Sequence, residues 1–264
     1  MFAGAGGAIM QEAIEEGDAM ELAELIRQDP GLDVNVDYDG EWHTLLHLAC
    51  LGYDRSPVIP LLLAHPDIDV NVKDLDGWTP YYAACFHGYT SCVREMLRDS
   101  RVKLNERDNL GYTPLWVSTS NGGLDIIQWW IASGREMDLG TPGDVDRTDA
   151  IGGAMKYKKM DVVTLLKRFQ EHPEETRRTV RLEIGWCDEV AAEMFALVVF
   201  VSDGLLQIKD TTTATPAARF FNIASQLPLE LQMVLCHLVM GSSKETIPGK
   251  ESEAAFRELA KRNW

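Results

Sequence analysis

The residue types that could do covalent or metal chemistry in this chain are few: Cys85 with His87, and Cys236 with His237. A nucleophilic thiol needs a base within hydrogen-bond reach and a third group to orient that base. Cys85 and His87 stand two apart on a helical pattern, so their side chains diverge, and Cys236-His237 has no further ligand at zinc spacing. No phosphate loop, G-x-G-x-x-G, H-E-x-x-H or G-x-S-x-G occurs. With 41 Asp and Glu in one chain, carboxylate pairs arise by number alone and single out no acid–base couple. The sequence therefore leads to no catalytic residue, no cofactor and no metal. What remains is recognition chemistry: Trp42, Trp78 and Tyr112 sit among turn residues, framed by Asp39, Asp76 and Asn109. Large aromatics on exposed turns are the usual material of binding hot spots. The competing expectation is that each ring folds onto its neighbour and stiffens the turn.

Those aromatics are placed by a phrase that recurs. Asn71, Asp74, Gly77, Thr79 and Pro80 return as Asn105, Asp108, Gly111, Thr113 and Pro114, each 34 residues later. Asn35 precedes Asn71 by 36, Thr44 precedes Thr79 by 35, and Thr148 follows Thr113 by 35. Each unit reads as a tight turn, a helix capped by Thr and started by Pro, a break at Gly, and a second amphipathic helix. One helix pair cannot bury its own apolar face, so neighbours must stack. The segment DLDGWTPYYAACFHG resembles the ankyrin repeat, a unit of about 33 residues with the signature T-P-L-H-x-A. That resemblance implies an all-α ankyrin-repeat solenoid of helix–turn–helix units with short β-hairpin fingers. It also implies partner contacts from the finger tips and the concave face of each first helix. Besides the turn residues above, it adds Phe86, His87, Ser120 and Asn121, which precede the helix–helix turn.

The expected organisation is about five units over residues 1–169, the first and last degenerate, followed by a small helical domain over 170–264. The fifth unit has Asp149 for Pro and Tyr157 where Gly is expected at the interhelical turn. In the second part, helices are expected over Thr176–Ile184, Asp188–Val201, Ala217–Gln226, Pro228–Val239 and Ser252–Arg262. A loop is expected at Thr211–Thr215, with breaks at Gly241–Ser243 and Pro248-Gly249. Residues from about 140 onward resemble the shared helical tail of an expanded group of fungal ankyrin-repeat proteins, to which no activity is attached. Leu227, Pro228, Leu229, Glu230 and Leu231, followed by Val234 and Leu235, resemble the opening of an F-box, a motif also truncated at the C-terminus of poxviral ankyrin proteins. This implies a possible ubiquitin-ligase adaptor site at Leu227, Pro228, Glu230, Leu231 and Leu235. The alternative is a helix packed within its own domain.

Charge narrows the partner. Residues 1–149 carry 10 Lys and Arg against 26 Asp and Glu, a net of −16, while residues 150–264 carry 15 against 15. An acidic array repels phosphates, which excludes nucleic acid and favours a protein with a basic surface. Eight of the basic residues fall between Lys156 and Arg181, as a solvated face, as stitches onto the array or as a site for an acidic partner. No apolar run reaches membrane-spanning length, and five cysteines without zinc or disulfide spacing read as reduced, buried thiols. The N-terminus lacks a basic residue before Arg27 and does not read as a presequence. The expectation is an intracellular, cytoplasmic or nuclear, monomeric and non-enzymatic scaffold. A ubiquitin-ligase substrate receptor is the alternative, and an enzyme in the C-terminal half the third.

Overall fold

The computed structural model describes residues 5–29, 31, 33–37, 40–140, 148–204, 220–221, 223–240, 247 and 252–257. The chain forms two compact units, Met1–Val180 and Arg181–Trp264.

The first unit is built from helix pairs: α1 (Ala5–Glu15) with α2 (Ala19–Gln28), α3 (Leu45–Cys50) with α4 (Ile59–Ala64), α5 (Pro80–His87) with α6 (Thr90–Arg98), α7 (Pro114–Asn121) with α8 (Leu124–Ser133), and α9 (Ala150–Lys156) with α10 (Met160–Glu171). The first helices pack side by side in the order α1, α3, α5, α7, α9, and the second helices α2, α4, α6, α8, α10 follow the same order. Burial is therefore shared between neighbours, as a stacked array requires. Leu45, Leu46, Ile59, Leu62, Tyr81, Met96, Leu115, Ile126 and Trp130 are fully buried along it. Ser56–Val58 forms a 3₁₀ turn ahead of α4, where Pro57 and Pro60 make an irregular start.

The caps explain the period. Thr79 Oγ1 accepts from the Tyr82 amide at 3.1 Å, Thr113 Oγ1 from Trp116 at 3.2 Å, and Asp149 Oδ1 from Gly152 at 2.7 Å. Gly88 and Gly122 close α5 and α7 with φ of +78° and +84°, the left-handed geometry that lets the following amide return to the helix. In the last pair that position is filled by Lys158 at φ +59°, one residue beyond the Tyr157 to which the sequence pattern pointed.

Side-chain ladders join the units. Asn35 accepts from the Asp69 amide and donates to Asp67 O, at 2.8 and 2.7 Å, and Asn71 repeats this with Lys103 and Arg101 at 2.8 and 3.0 Å. An arginine series escaped the sequence reading. Arg101 donates to Leu63 O, Arg135 to Leu97 O and Asp99 O, and Arg177 to Ile131 O. Each cation thus sits on carbonyls at the C-terminal end of a second helix, where charge and donors are both favourable.

The fingers expected as short β-hairpins contain no strand among the described residues. They are turns tied by an aspartate: Asp74 Oδ1 accepts from Asp76 and Trp78 amides at 3.0 and 2.8 Å, and Asp108 Oδ1 from Leu110 and Tyr112 at the same distances. With the carboxylate satisfying these amides, too few backbone groups are left to extend a ladder.

In the second unit, α12 (Trp186–Ser202) packs on α13 (Leu229–Val239). Their core holds Ala191, Ala192, Phe195, Ala196, Val198 and Cys236, with Ala224, Ile247 and Ala255. Helix α11 (Pro173–Glu183) precedes it, carrying Glu174 and Glu175 in its first turn, as expected from the dipole. The loop Thr211–Thr215, the breaks at Gly241–Ser243 and Pro248-Gly249, and much of the helices expected over Ala217–Gln226 and Ser252–Arg262 lie outside the described residues. Residues 252–257 are helical. No described helix is long and apolar enough to cross a membrane.

Candidate protein-binding surface

Tyr82 and Phe86 lie one turn apart on α5, and Trp78, just before the N-cap Thr79, continues their line. Trp78 is half-buried over Tyr82 and Phe86, with centroids at 5.3 and 4.6 Å. Phe86 meets His87 edge-on at 5.2 Å, His87 stacks on Tyr89 at 5.7 Å, and Tyr89 reaches Tyr53 at 6.4 Å. The outcome is a continuous aromatic strip from the finger to the interhelical turns of two neighbouring units. Phe86, 37% exposed, and Tyr53, 77% exposed, present it to solvent. Partial desolvation lowers the His87 imidazole from its ordinary value although the side chain stays exposed, which favours the neutral ring suited to stacking. Tyr82 Oη donates to Asp108 Oδ2 at 2.7 Å, which places a carboxylate at the finger end of the strip. Tyr82 was legible from the spacing alone. Tyr53 and Tyr89 were not, because they come from turns of different units.

The next unit repeats the device. Tyr112 is half-buried on Trp116 at 4.3 Å, and Trp116 meets Tyr157 edge-on at 6.4 Å. Ser120 is buried and donates to Trp116 O, while the exposed Asn121 donates its amide to Phe86 O at 2.8 Å. Asp76 is exposed on its finger, and Asn109 donates to Leu75 O at 2.8 Å, tying one finger to the next. Asp39 lies outside the described residues. Trp42 is exposed on the finger that leads into α3, but the residue immediately before Thr44 is His43, whose Nε2 lies 3.5 Å from Asp74 Oδ2. Among the helix-stripe tryptophans, Trp116 and Trp130 are buried, whereas Trp129 is half-buried with the Arg94 guanidinium 4.0 Å above it.

Cys85 and His87 do not meet as a catalytic pair: the thiol is buried and pushed up to about 12 by that burial, while His87 faces solvent. Cys50, Cys92, Cys187 and Cys236 are likewise buried and form no disulfide. Among the described residues no group of His, Cys, Asp and Glu could hold a metal ion. In α13, Leu229 and Leu231 are about half exposed (52% and 51%), Pro228 is exposed, and Leu227 and Leu235 are half-buried, Leu235 against the unit's core. The side chain of Glu230 lies outside the described residues. Within the basic run, Arg177 is a stitch, and Lys158, Lys167, Arg168 and Arg178 are exposed.

Comparison with known families matches residues 46–142 to the model described as ankyrin repeats, in three copies. The human SMC5-SMC6 complex localization factor protein 1 is 46% identical over 84 residues, covering 31% of this chain and 8% of that protein. Mouse Rabankyrin-5 is 28% identical over 102 residues, covering 39% and 9%. The Hydra vulgaris tyrosine-protein kinase HTK16 is 26% identical over 174 residues, covering 63% and 22%. The chain thus spans less than a tenth of the first two relatives and under a quarter of the third.

Proposed function

This chain is an ankyrin-repeat protein, and on that premise we propose that it is a non-enzymatic scaffold whose array holds a protein partner with a basic surface. Ankyrin repeats mediate protein–protein interaction, so the question is which surface does so here. The single observation that carries the reading is the aromatic strip Trp78–Phe86–His87–Tyr89–Tyr53 on a rigid stack. Rings there supply contact area at little entropic cost, and basic side chains on the partner answer the net charge of −16 carried by residues 1–149. The protein acts as a monomer inside the cell, in cytoplasm or nucleus; five buried cysteines that form no disulfide support the reducing compartment.

The test is affinity purification from cells with the native chain and with a Tyr53→Ala/Phe86→Ala double variant. Both residues are exposed, so the melting temperature should stay within about 3 °C. Partners retained by the native chain are expected to fall at least tenfold with the variant, as for loss of a hot spot of about 1.4 kcal/mol or more. An identical partner set would remove the reading.

A second reading, a ubiquitin-ligase substrate receptor, draws on the exposure of Leu229 and Leu231 at the start of α13. It expects a cullin-type adaptor to co-purify with the native chain and to be lost with Leu231→Asp. Absence of any adaptor from both samples counts against it.

A further inference from the structure

The interhelical turns form a row of their own, at the opposite end of the first helices from the fingers. Each turn touches the next. A Cβ at Gly17 would stand 2.7 Å from Asp54 O, which joins the first turn to the second. Tyr53 meets Tyr89 at 6.4 Å, Asn121 donates to Phe86 O at 2.8 Å, and a Cβ at Gly122 would stand 3.0 Å from Lys159 Nζ. The turns from α1–α2 to α9–α10 therefore lie side by side within the first compact unit.

Charge is graded along this row. Between α1 and α2, Glu15, Glu16 and Asp18 give a formal −3. In the next turn Asp54 and Arg55 cancel. His87–Tyr89 and Asn121–Gly123 carry no formal charge with histidine neutral. Between α9 and α10, Lys156, Lys158 and Lys159 give +3. Glu15, Glu16, Asp18, Lys156 and Lys158 are exposed, and the exposed rings of Tyr53 and Phe86 occupy the uncharged middle. Because the charges belong to the turns themselves, the row is acidic at one end and basic at the other.

Stability does not account for the grading. Acids are favoured at helix N-termini and bases at C-termini, and Asp125 and Asp161 follow that rule in the first turns of α8 and α10. Glu15 and Glu16 stand instead at the C-terminal end of α1, and Lys158 and Lys159 at the N-terminal end of α10. Both ends of the row thus carry charge against the local helix dipole.

We propose that the row of interhelical turns binds a charge-polar segment of the partner, its Lys and Arg end on the α1–α2 turn and its Asp and Glu end on the α9–α10 turn. This rests on the protein-binding reading above and adds a direction to it: the partner lies one way along the aromatic strip and carries acids as well as bases. In that pose both ends meet opposite charge, whereas the reversed pose sets like against like at both. Neighbouring helices lie about 8–10 Å apart, so the row spans roughly 32–40 Å. About 10–12 extended residues cover that span at ~3.3 Å each.

The test uses the full chain and three synthetic peptides of one composition, followed by fluorescence anisotropy at low salt. One carries three lysines and three glutamates at opposite ends of about ten uncharged residues, matching the span. One places the two charged blocks side by side, and one alternates lysine and glutamate along its length. The end-to-end polar peptide is expected to bind at least tenfold more tightly than either other, with the preference lost at high salt. Glu15→Lys/Glu16→Lys and Lys156→Glu/Lys158→Glu should each weaken it at least tenfold, with the melting temperature within about 3 °C of native because all four side chains are exposed. The second change makes the chain more acidic, so a site that merely attracts bases would gain affinity instead. Combining both changes keeps the net charge and is expected to restore binding, in the reversed pose, which a folding defect cannot do. Equal binding of the three peptides, tighter binding after Lys156→Glu/Lys158→Glu, or no recovery in the combined variant overturns the proposal. So does a native chain that sediments as an oligomer which either charge change dissolves, since the two ends would then serve a second copy. If native capture of partners from cells still depends on Tyr53 and Phe86 in those cases, the scaffold reading stands and only the polarity falls.

Discussion

Gly77→Ala will destabilise the array by about 3 kcal/mol, and Gly111→Ala by only about 1, although the two glycines hold the same place in the repeat. Both have left-handed φ, +79° and +87°, so each alanine carries the same backbone strain. They differ in what a Cβ would meet. At Gly77 it would stand 2.5 Å from Asn109 Oδ1 and 2.8 Å from the Asn109 amide nitrogen; at Gly111 nothing lies within 4 Å. The intruding methyl must displace the bonds from Asn109 to Asp76 O and Leu75 O, each worth about 1 kcal/mol. Thermal melts should show a loss of roughly 6–12 °C for the first and 2–4 °C for the second. Equal losses would mean that the fingers do not lean on one another.

Arg135→Ala is expected to cost about 3 kcal/mol, against at most about 1 for Arg101→Ala. Arg135 is half-buried and donates to Leu97 O, Asp99 O and Val102 O, the chain that ends α6 and leads to the next finger. Burial lowers its pKa from the ordinary guanidinium value without discharging it. Removing the fork orphans several carbonyls at once. Arg101 is exposed, and its ion pair with Asp99 competes with water. Arg135→Lys, which keeps charge but not the fork, should fall between. Denaturant titration measures the costs, and amide exchange should speed up in the last turn of α6. Comparable costs for the two alanine variants would show that the arginine series is ornamental.

The repeat was legible because turn and cap chemistry is local. Asp74, Gly77, Thr79, Pro80 and Gly88 each act within a few residues of themselves, so their types and spacing carry the geometry. The same locality marks the helix starts at Pro173, in the first unit, and at Pro228, in the second. Lys158 shows where locality misleads. The left-handed residue is set by which amide returns to α9, and a lysine there carries no glycine signal.

The candidate surface was only half legible. Trp78 and Tyr112 stood out as aromatics beside glycine, yet whether each points outward or lies on Tyr82 and Trp116 depends on the helix beneath. Tyr53 joins Tyr89 from another unit, and the charges of the interhelical turns change sign along the array, so a search for repeated residues passes over them.

The sequence by itself determined the stacked helical units, their caps and the acidic balance of the first half, since these follow from residue type and short spacing. Only the tertiary structure decided which rings form one strip, which arginines close the neighbouring helix ends, and which interhelical turns touch in one row. Those outcomes depend on contacts between residues about 34 positions apart, where the chain's local preferences say nothing about what a side chain will meet.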